Sequence, residues 1–280
     1  MQHNFINALI MKKLALFLCM SVVLMMACQK EEPTPNEVDE THAAPAQNYP
    51  STAEVIYDAV TDIDGNHYDA VKIGNQIWMA SNLRTTRYAD GEAIPDINES
   101  HDTDKPYRDV INTNIKTYGY LYNWPAVMHK ASSSNANPSG VQGICPNGWH
   151  VPSQAEWVEL ILYCSDQSEY VCNIHNGSAS GIGENIAKVL ADDNGWEWIS
   201  GECVVGNNFE ANNVTGFSAL PAGNKYLDSY IGEDRIAYFW SATVDCPKQS
   251  VCFEIWNSFP KVADACIDKV TASSIRCVKN

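Results

Sequence analysis

Basic side chains are scarce in this chain of 280 residues: 18 Lys and Arg stand against 34 Asp and Glu, a formal net charge of −16. A surface of that sign repels phosphate backbones, so nucleic acid is not an expected partner. Membrane-length apolar segments are also missing, since the run from Leu14 to Met26 has 13 residues, too short to span a bilayer. No Cys-x-x-Cys occurs, and Cys246 and Cys252 have no second pair of metal-type spacing beside them, which argues against a zinc cluster or a redox motif. No internal repeat of solenoid period is visible. What is present is 45% apolar and 10% aromatic content, the composition of a chain that folds.

The N-terminus reads as an address. Lys12 and Lys13 form a positive n-region before the apolar run, and Ala27 ahead of Cys28 fits the end of a bacterial lipobox, so residues 1–27 are expected to be a lipoprotein signal peptide and Cys28 the lipidated residue. Met25 and Met26 fill the upstream positions less typically than Leu and a small residue would, and the competing reading is a plain secretory signal with a chance cysteine. Met11-Lys12-Lys13 would itself open an ordinary signal. Removing residues 1–27 takes away two lysines and no acids, leaving the exported chain at −18. Each buried acyl methylene contributes about 0.8 kcal/mol, so a multiply acylated cysteine anchors stably.

Gln29-Lys30-Glu31-Glu32 resembles the Lys-and-acid tract that follows the lipidated cysteine in surface-exported lipoproteins of the Bacteroidetes. The expected location is therefore the outer membrane, lipid-anchored and exposed at the cell surface. Residues 28–53 carry Pro33, Pro35, Pro45 and Pro50 with five acids and little to bury, the composition of a disordered tether reaching on the order of 30 Å. The folded domain is expected over residues 54–280.

Ten cysteines are present, of which Cys19 leaves with the signal and Cys28 is the lipid site. Eight remain, an even number for an oxidising compartment, and their connectivity is not readable from spacing. Cys164, at the end of an expected helix, and Cys172, in the loop after it, are near enough in sequence to pair locally.

Val55 to Ile63 and His67 to Ile73 flank Asp64-Gly65-Asn66, and Gln76 to Ala80 follows, which reads as turn-linked strands. Asp62, Asp64 and Asn66 suggest calcium, but the EF-hand order is missing and a hairpin turn explains them. Ser153-Gln154-Ala155-Glu156 is a capping box, after which Trp157, Leu160, Ile161 and Cys164 recur at helical spacing. A second, shorter helix is expected between Gly183 and Asp192, with Ile186, Val189 and Leu190 on one face. Short strands are expected at Gly216 to Ala219, Tyr238 to Thr243, Val251 to Trp256 and Ser274 to Lys279. The fold class is α+β, with short antiparallel strands, two helices and disulfide bracing.

Six blocks carry a resemblance: Gln76-Ile-Trp-Met-Ala-Ser-Asn-Leu-Arg-Thr-Thr-Arg-Tyr-Ala-Asp-Gly91, Tyr118-Gly-Tyr-Leu-Tyr-Asn-Trp124, Asn137-Pro-Ser-Gly-Val-Gln-Gly-Ile-Cys-Pro-Asn-Gly-Trp-His-Val-Pro152, Gly216-Phe-Ser-Ala-Leu-Pro-Ala-Gly223, Tyr238-Phe-Trp-Ser-Ala-Thr243 and Ile275-Arg-Cys-Val-Lys279. From about Ala59 onward the chain resembles the Fibrobacter succinogenes major paralogous domain. The resemblance implies a C-type-lectin-like fold, distantly similar to the formylglycine-generating sulfatase-modifying domain, in secreted and surface lipoproteins. It implies no established activity. The family's recurring cysteines fall on Cys145 and Cys277, which supports pairing those two.

An enzyme is not expected. No positions match the reactive cysteine pair of the sulfatase-modifying relatives, and no motif places a nucleophile or carboxylate with His150, which therefore reads as a buried structural histidine. Glu156 is explained by its capping role. The Glu-Pro-Asn, Gln-Pro-Asp and Trp-Asn-Asp signatures of calcium-dependent sugar binding are absent, Trp256-Asn257-Ser258 being the nearest echo. No metal and no cofactor are expected. In the implied fold ligands meet a long loop, placed here at Leu227 to Ala237. Aromatic faces stack on sugar rings while acids accept hydroxyl hydrogen bonds, so Asp228, Tyr230, Glu233, Asp234 and Arg235, with Trp196 and Trp198 on another loop, are the ligand-binding candidates. Trp240 and Trp256 read as core. The expected function is non-enzymatic recognition of an extracellular glycan or protein. The alternative is a structural or adhesin-assembly component of the envelope without a small-ligand pocket.

Overall fold

In the computed structural model, which describes residues 42–45, 47–97, 105–111, 113–172, 183–245 and 248–280, β1 (Glu54–Thr61) and β2 (His67–Ile73) form an antiparallel hairpin, and β3 (Gln76–Met79) extends it. The turn is built by Asp62: its Oδ1 accepts from the N–H groups of Asp64 and Asn66 at 2.9 Å each, and its Oδ2 from Asn66 Nδ2. These are hairpin contacts, as expected, with Gly65 supplying the positive φ of 84° that the turn requires. The expected signal peptide, Cys28, most of the tether and Cys246 lie outside the described residues.

The remaining elements are β4 (Arg108–Asp109), α1 (Ile115–Tyr118), β5 (Leu121–Asn123), α2 (Trp124–Met128), β6 (Trp149–His150), α3 (Gln154–Asp166), α4 (Ala187–Leu190), β7 (Asn224–Tyr226), β8 (Ser229–Ile231), β9 (Ile236–Trp240), β10 (Gln249–Trp256), β11 (Val262–Asp268), β12 (Ala272–Ser273) and β13 (Val278–Lys279). They form three sheets of order β1-β2-β3-β13-β6, β11-β10-β9 and β4-β5-β12-β7-β8. The C-terminal β13 inserts between β3 and β6, and every paired strand is antiparallel. Single bridges Gly223 to Ala237 and Phe239 to Ser274 join the second and third sheets. All five residues of β9 are buried, as expected of a strand covered on both faces. Among the described residues no helix is long and apolar enough to cross a membrane.

Helix α3 carries the capping box read from the sequence, with Ser153 Oγ accepting from Glu156 N and Glu156 returning to Ser153 N. Its stripe of Trp157, Leu160, Ile161 and Cys164 is buried. Trp157 stacks on Phe253 at 4.9 Å and meets Trp78 at 4.6 Å, so the helix fastens the first sheet to the second. Beyond α3 the helices are short. The second expected helix is a four-residue turn, and α1 and α2 were not expected.

Several expectations are corrected. Gly216 to Ala219 is irregular, touching Ala191 through one bridge, because its carbonyls go to an arginine. Ser274 to Lys279 is not continuous: β13 keeps only its last two strand positions. Leu227 to Ala237 is not a long loop, since β7 and β8 close a hairpin there with Leu227 at φ 54°, followed by a tight turn into β9. Residues 42–45 and 47–53, expected as tether, lie on the body. His42 O accepts from His67 N at 2.8 Å, and Tyr49 packs on the core with its hydroxyl on Asp69.

A disulfide joins Cys145 to Cys277 across 132 residues, and Cys172 pairs with Cys203 rather than with Cys164. Cys164 points inward with the helix stripe, where burial pushes its thiol up to about 12 and leaves it inert. The segment after α3 instead turns away, its Cys172 N–H donating to Asn185 O, and so reaches the Cys203 loop.

Candidate functional site

Three of the sequence blocks, Gln76 to Gly91, Gly216 to Gly223 and Ile275 to Lys279, meet in a sealed seam. Arg276 is fully buried, and its guanidinium donates to Asn82 Oδ1 at 2.8 Å, Met79 O at 3.0 Å, Ser218 O at 2.7 Å and Phe217 O, while lying 4.8 Å over the Phe217 ring. Ser218 sits at φ 55°, held there by Asn213, whose side chain accepts from Ser218 N and donates to Ser218 Oγ, both at 2.8 Å. Only a planar fork reaches that many converging acceptors, which explains an arginine at this position.

His150 and Glu156 make the second buried pair. Nε2 of His150 lies 2.5 Å from Glu156 Oε1, and Nδ1 lies 2.7 Å from Asn280 Oδ1. Glu156 Oε2 meanwhile accepts from Ser153 N and Ser139 N. Burial alone would push the His150 pKa down, but the hydrogen bond and charge of Glu156 outweigh it and the net direction is upward. The carboxylate partner that no motif announced is the capping glutamate, so Glu156 does more than cap. Both side chains are sealed from solvent, which makes this a brace between β6 and α3.

The ligand-binding candidates are divided by the structure. Trp196 is 6% exposed and packs in the core, which removes it as a stacking platform. Trp198, two residues on, is 65% exposed. It lines a cleft of about 420 Å³ with Ile199, Ile231, Arg235, Ile236 and Trp256. Backbone bonds position this cleft: Glu197 N to Asp234 O at 2.7 Å, Asn257 N to Arg235 O at 2.8 Å and Gly206 N to Asn257 O at 2.8 Å. Trp256 is half-buried rather than core, its Nε1 donating to Glu254 Oε2 at 2.8 Å and its ring meeting Phe259 edge-on at 5.7 Å. Burial of Glu254 raises its pKa. Trp240 is core, as expected.

Glu233, Asp234 and Arg235 border a second, acidic depression with Glu197. Tyr230 faces elsewhere, because alternation along β8 sends it and Ile231 to opposite sides. Its ring lies 4.9 Å from Lys225 Nζ and its hydroxyl donates to Asp109 Oδ2, which also pairs with Lys225 at 2.6 Å. Asp228 is exposed at the tip of the β7–β8 hairpin.

A third concavity had no signal in the sequence. It is a slot of about 270 Å³ walled by Tyr88, Trp124, Pro125 and Met128, with Glu92, His129, Lys130, Lys248 and Lys269 around it. Asn123 caps α2 through Ala126 N, and the helix ends in two consecutive left-handed residues, His129 at φ 46° and Lys130 at φ 67°. Each such residue costs about 1–2 kcal/mol, a strain that tends to mark functional sites. The His129 ring stacks on Tyr88 at 3.6 Å and 7°. The Tyr88 hydroxyl is buried and has no hydrogen-bond partner among the described residues. Asp90, Glu92 and His129 could together hold a metal, having ligand atoms within 4.8 Å of one another. Lys130 Nζ already occupies Glu92 at 2.9 Å, and a cation would have to displace it.

Residues 71–279 match the family described as the Fibrobacter succinogenes major domain. No curated protein and no solved structure matches the chain.

Proposed function

The chain belongs to the Fibrobacter succinogenes major domain family, and on that premise we propose that it is a non-enzymatic recognition module, binding an extracellular glycan or protein through the Trp198 cleft. One observation carries the reading: Trp198, Ile231 and Phe259 are exposed at 65%, 43% and 48%, gathered around the half-buried Trp256 on a chain of charge −16. Grouped apolar surface on an otherwise charged body marks an interaction site, and flat indole faces flanked by acids suit sugar rings. The His150–Glu156 pair is sealed from solvent.

The lipobox pattern supports placement on the outer membrane, tethered through Cys28 and facing outward. The return of β13 into the N-terminal sheet, fastened by the Cys145–Cys277 bridge, is in keeping with a C-type-lectin-like architecture.

Glycan arrays and pull-downs with the full-length chain test the function. A ligand retained by the wild type and lost with Trp198→Ala is expected. The absence of any ligand, or one indifferent to Trp198→Ala, overturns the reading. Labelled palmitate entering the wild type but not Cys28→Ser is expected of the anchor.

A further inference from the structure

We propose that the slot at the end of α2 binds a carboxylated sugar ring, a hexuronate unit of an acidic polysaccharide. The slot shares no lining residue with the Trp198 cleft. At about 270 Å³ it falls just below the range of drug-sized pockets and takes one ring.

The charge around it is the reverse of the chain's. Lys130, Lys248 and Lys269 border the slot; Lys130 is paired with Glu92 at 2.9 Å and Asp90 lies 3.8 Å from His129, so Lys248 and Lys269 supply the excess positive charge in a protein where acids outnumber bases 34 to 18. The fold places two of the lysines deliberately close: Lys248 precedes β10, Lys269 follows β11, and Lys269 N donates to Lys248 O at 3.1 Å across the open end of that hairpin. Lys269 Nζ lies 4.3 Å over the Trp124 ring, and Trp124 is fixed by Nε1 donating to Ser241 O at 3.0 Å.

An apolar wall bordered by the ammonium groups of Lys248 and Lys269, and by Glu92 with its partners His129 and Lys130, defines the ligand. The ring's C–H face lies on Trp124 and Pro125, both half-buried. Its carboxylate meets the lysines, and its hydroxyls meet Glu92 and His129, which the left-handed end of α2 turns toward each other at 3.3 Å. A phosphate dianion suits the slot less well. It lacks ring hydroxyls for Glu92, which would repel it, and the slot offers neither arginine forks nor a nest of N–H groups.

Calorimetric titration of the full-length chain tests this, using tetramers of galacturonate, mannuronate and guluronate, a neutral tetramer of galactose, and inorganic phosphate. At least one uronate is expected to bind ten-fold or more tightly than the neutral tetramer and phosphate, and to weaken as salt rises. Lys248→Ala with Lys269→Ala is expected to lower that affinity at least ten-fold, with recovery in Lys248→Arg/Lys269→Arg. Both side chains lie at the end of a surface hairpin, and circular dichroism confirms that the variants fold. No uronate binding, equal binding of the neutral tetramer or of phosphate, insensitivity to salt, or an unchanged affinity in the double alanine variant would each overturn the proposal.

Discussion

The β3–β13 seam and the β8–β10 end of the molecule are both rich in polar and aromatic side chains, yet they direct them oppositely. In the seam, Arg276, Asn82, His150 and Glu156 turn their donors and acceptors on the protein itself. At the other end Trp198, Ile231 and Phe259 are left to solvent, and the charged pair Arg235–Glu197 is long, at 3.9 Å, and exposed. Two of the blocks that carry the family resemblance, Gly216 to Gly223 and Ile275 to Lys279, are thus engaged in building the body.

The largest effect should come from cutting the seam covalently. The bridge from Cys145 to Cys277 closes 132 residues, and Cys145→Ser with Cys277→Ser should lower the unfolding free energy by about 5 kcal/mol in the chain-entropy model. The Cys172–Cys203 bridge, spanning 31, should contribute about 4 kcal/mol at most. Urea unfolding of the two double variants measures both, and a larger loss at the peripheral bridge would break the contrast. Next is Arg276→Lys. A lysine keeps the charge but cannot reach Asn82, Met79, Phe217 and Ser218 together, so about 3 kcal/mol should be lost as buried carbonyls go unanswered.

Much of the seam was legible beforehand because its signals are local. A capping box declares α3, and a stripe of Trp157, Leu160 and Ile161 declares which face is buried. The hairpin turn at Asp62 to Asn66 lies within five residues. The exposed end was harder for identifiable reasons. The β7–β8 turn uses Leu227 in a left-handed conformation, where turn chemistry leads one to look for Gly or Asn. Trp196 and Trp198 are alike in sequence, and only the packing of the chain decides that one is core and the other surface. Helical spacing showed that Cys164 faces inward, yet proximity in sequence suggested a partner, and the inward face excludes it. The slot gathers Tyr88, Trp124, His129, Lys248 and Lys269 from segments as much as 181 residues apart, so no window of sequence contains it.

The His150–Glu156 pair sharpens the comparison through pH. Its histidine pKa is raised in the fold above the ordinary value near 6.5, so the stability it adds is full below that value and is lost as pH rises through the folded one. His150→Gln, which keeps a donor to Glu156 without the charge, should cost about 2 kcal/mol at pH 6. The difference should narrow as pH rises through the folded pKa. Denaturation of both proteins at several pH values checks this, and a gap that does not change with pH would mean that the imidazolium charge has no part in the brace.

Trp198→Ala should have the smallest effect on the fold and the greatest diagnostic value. Removing a side chain that is 65% exposed gives up little packing, and the unfolding free energy should move by no more than about 0.5 kcal/mol. Trp157→Ala, deleting a fully buried ring of the same chemistry, should cost about 3–5 kcal/mol. A tryptophan that contributes almost nothing to stability while facing solvent beside Ile231 and Trp256 is what the proposed recognition cleft requires. If thermal melts showed Trp198→Ala to be as damaging as Trp157→Ala, the cleft would be part of the scaffold, and the distinction between the inward-turned seam and the outward-turned end would disappear.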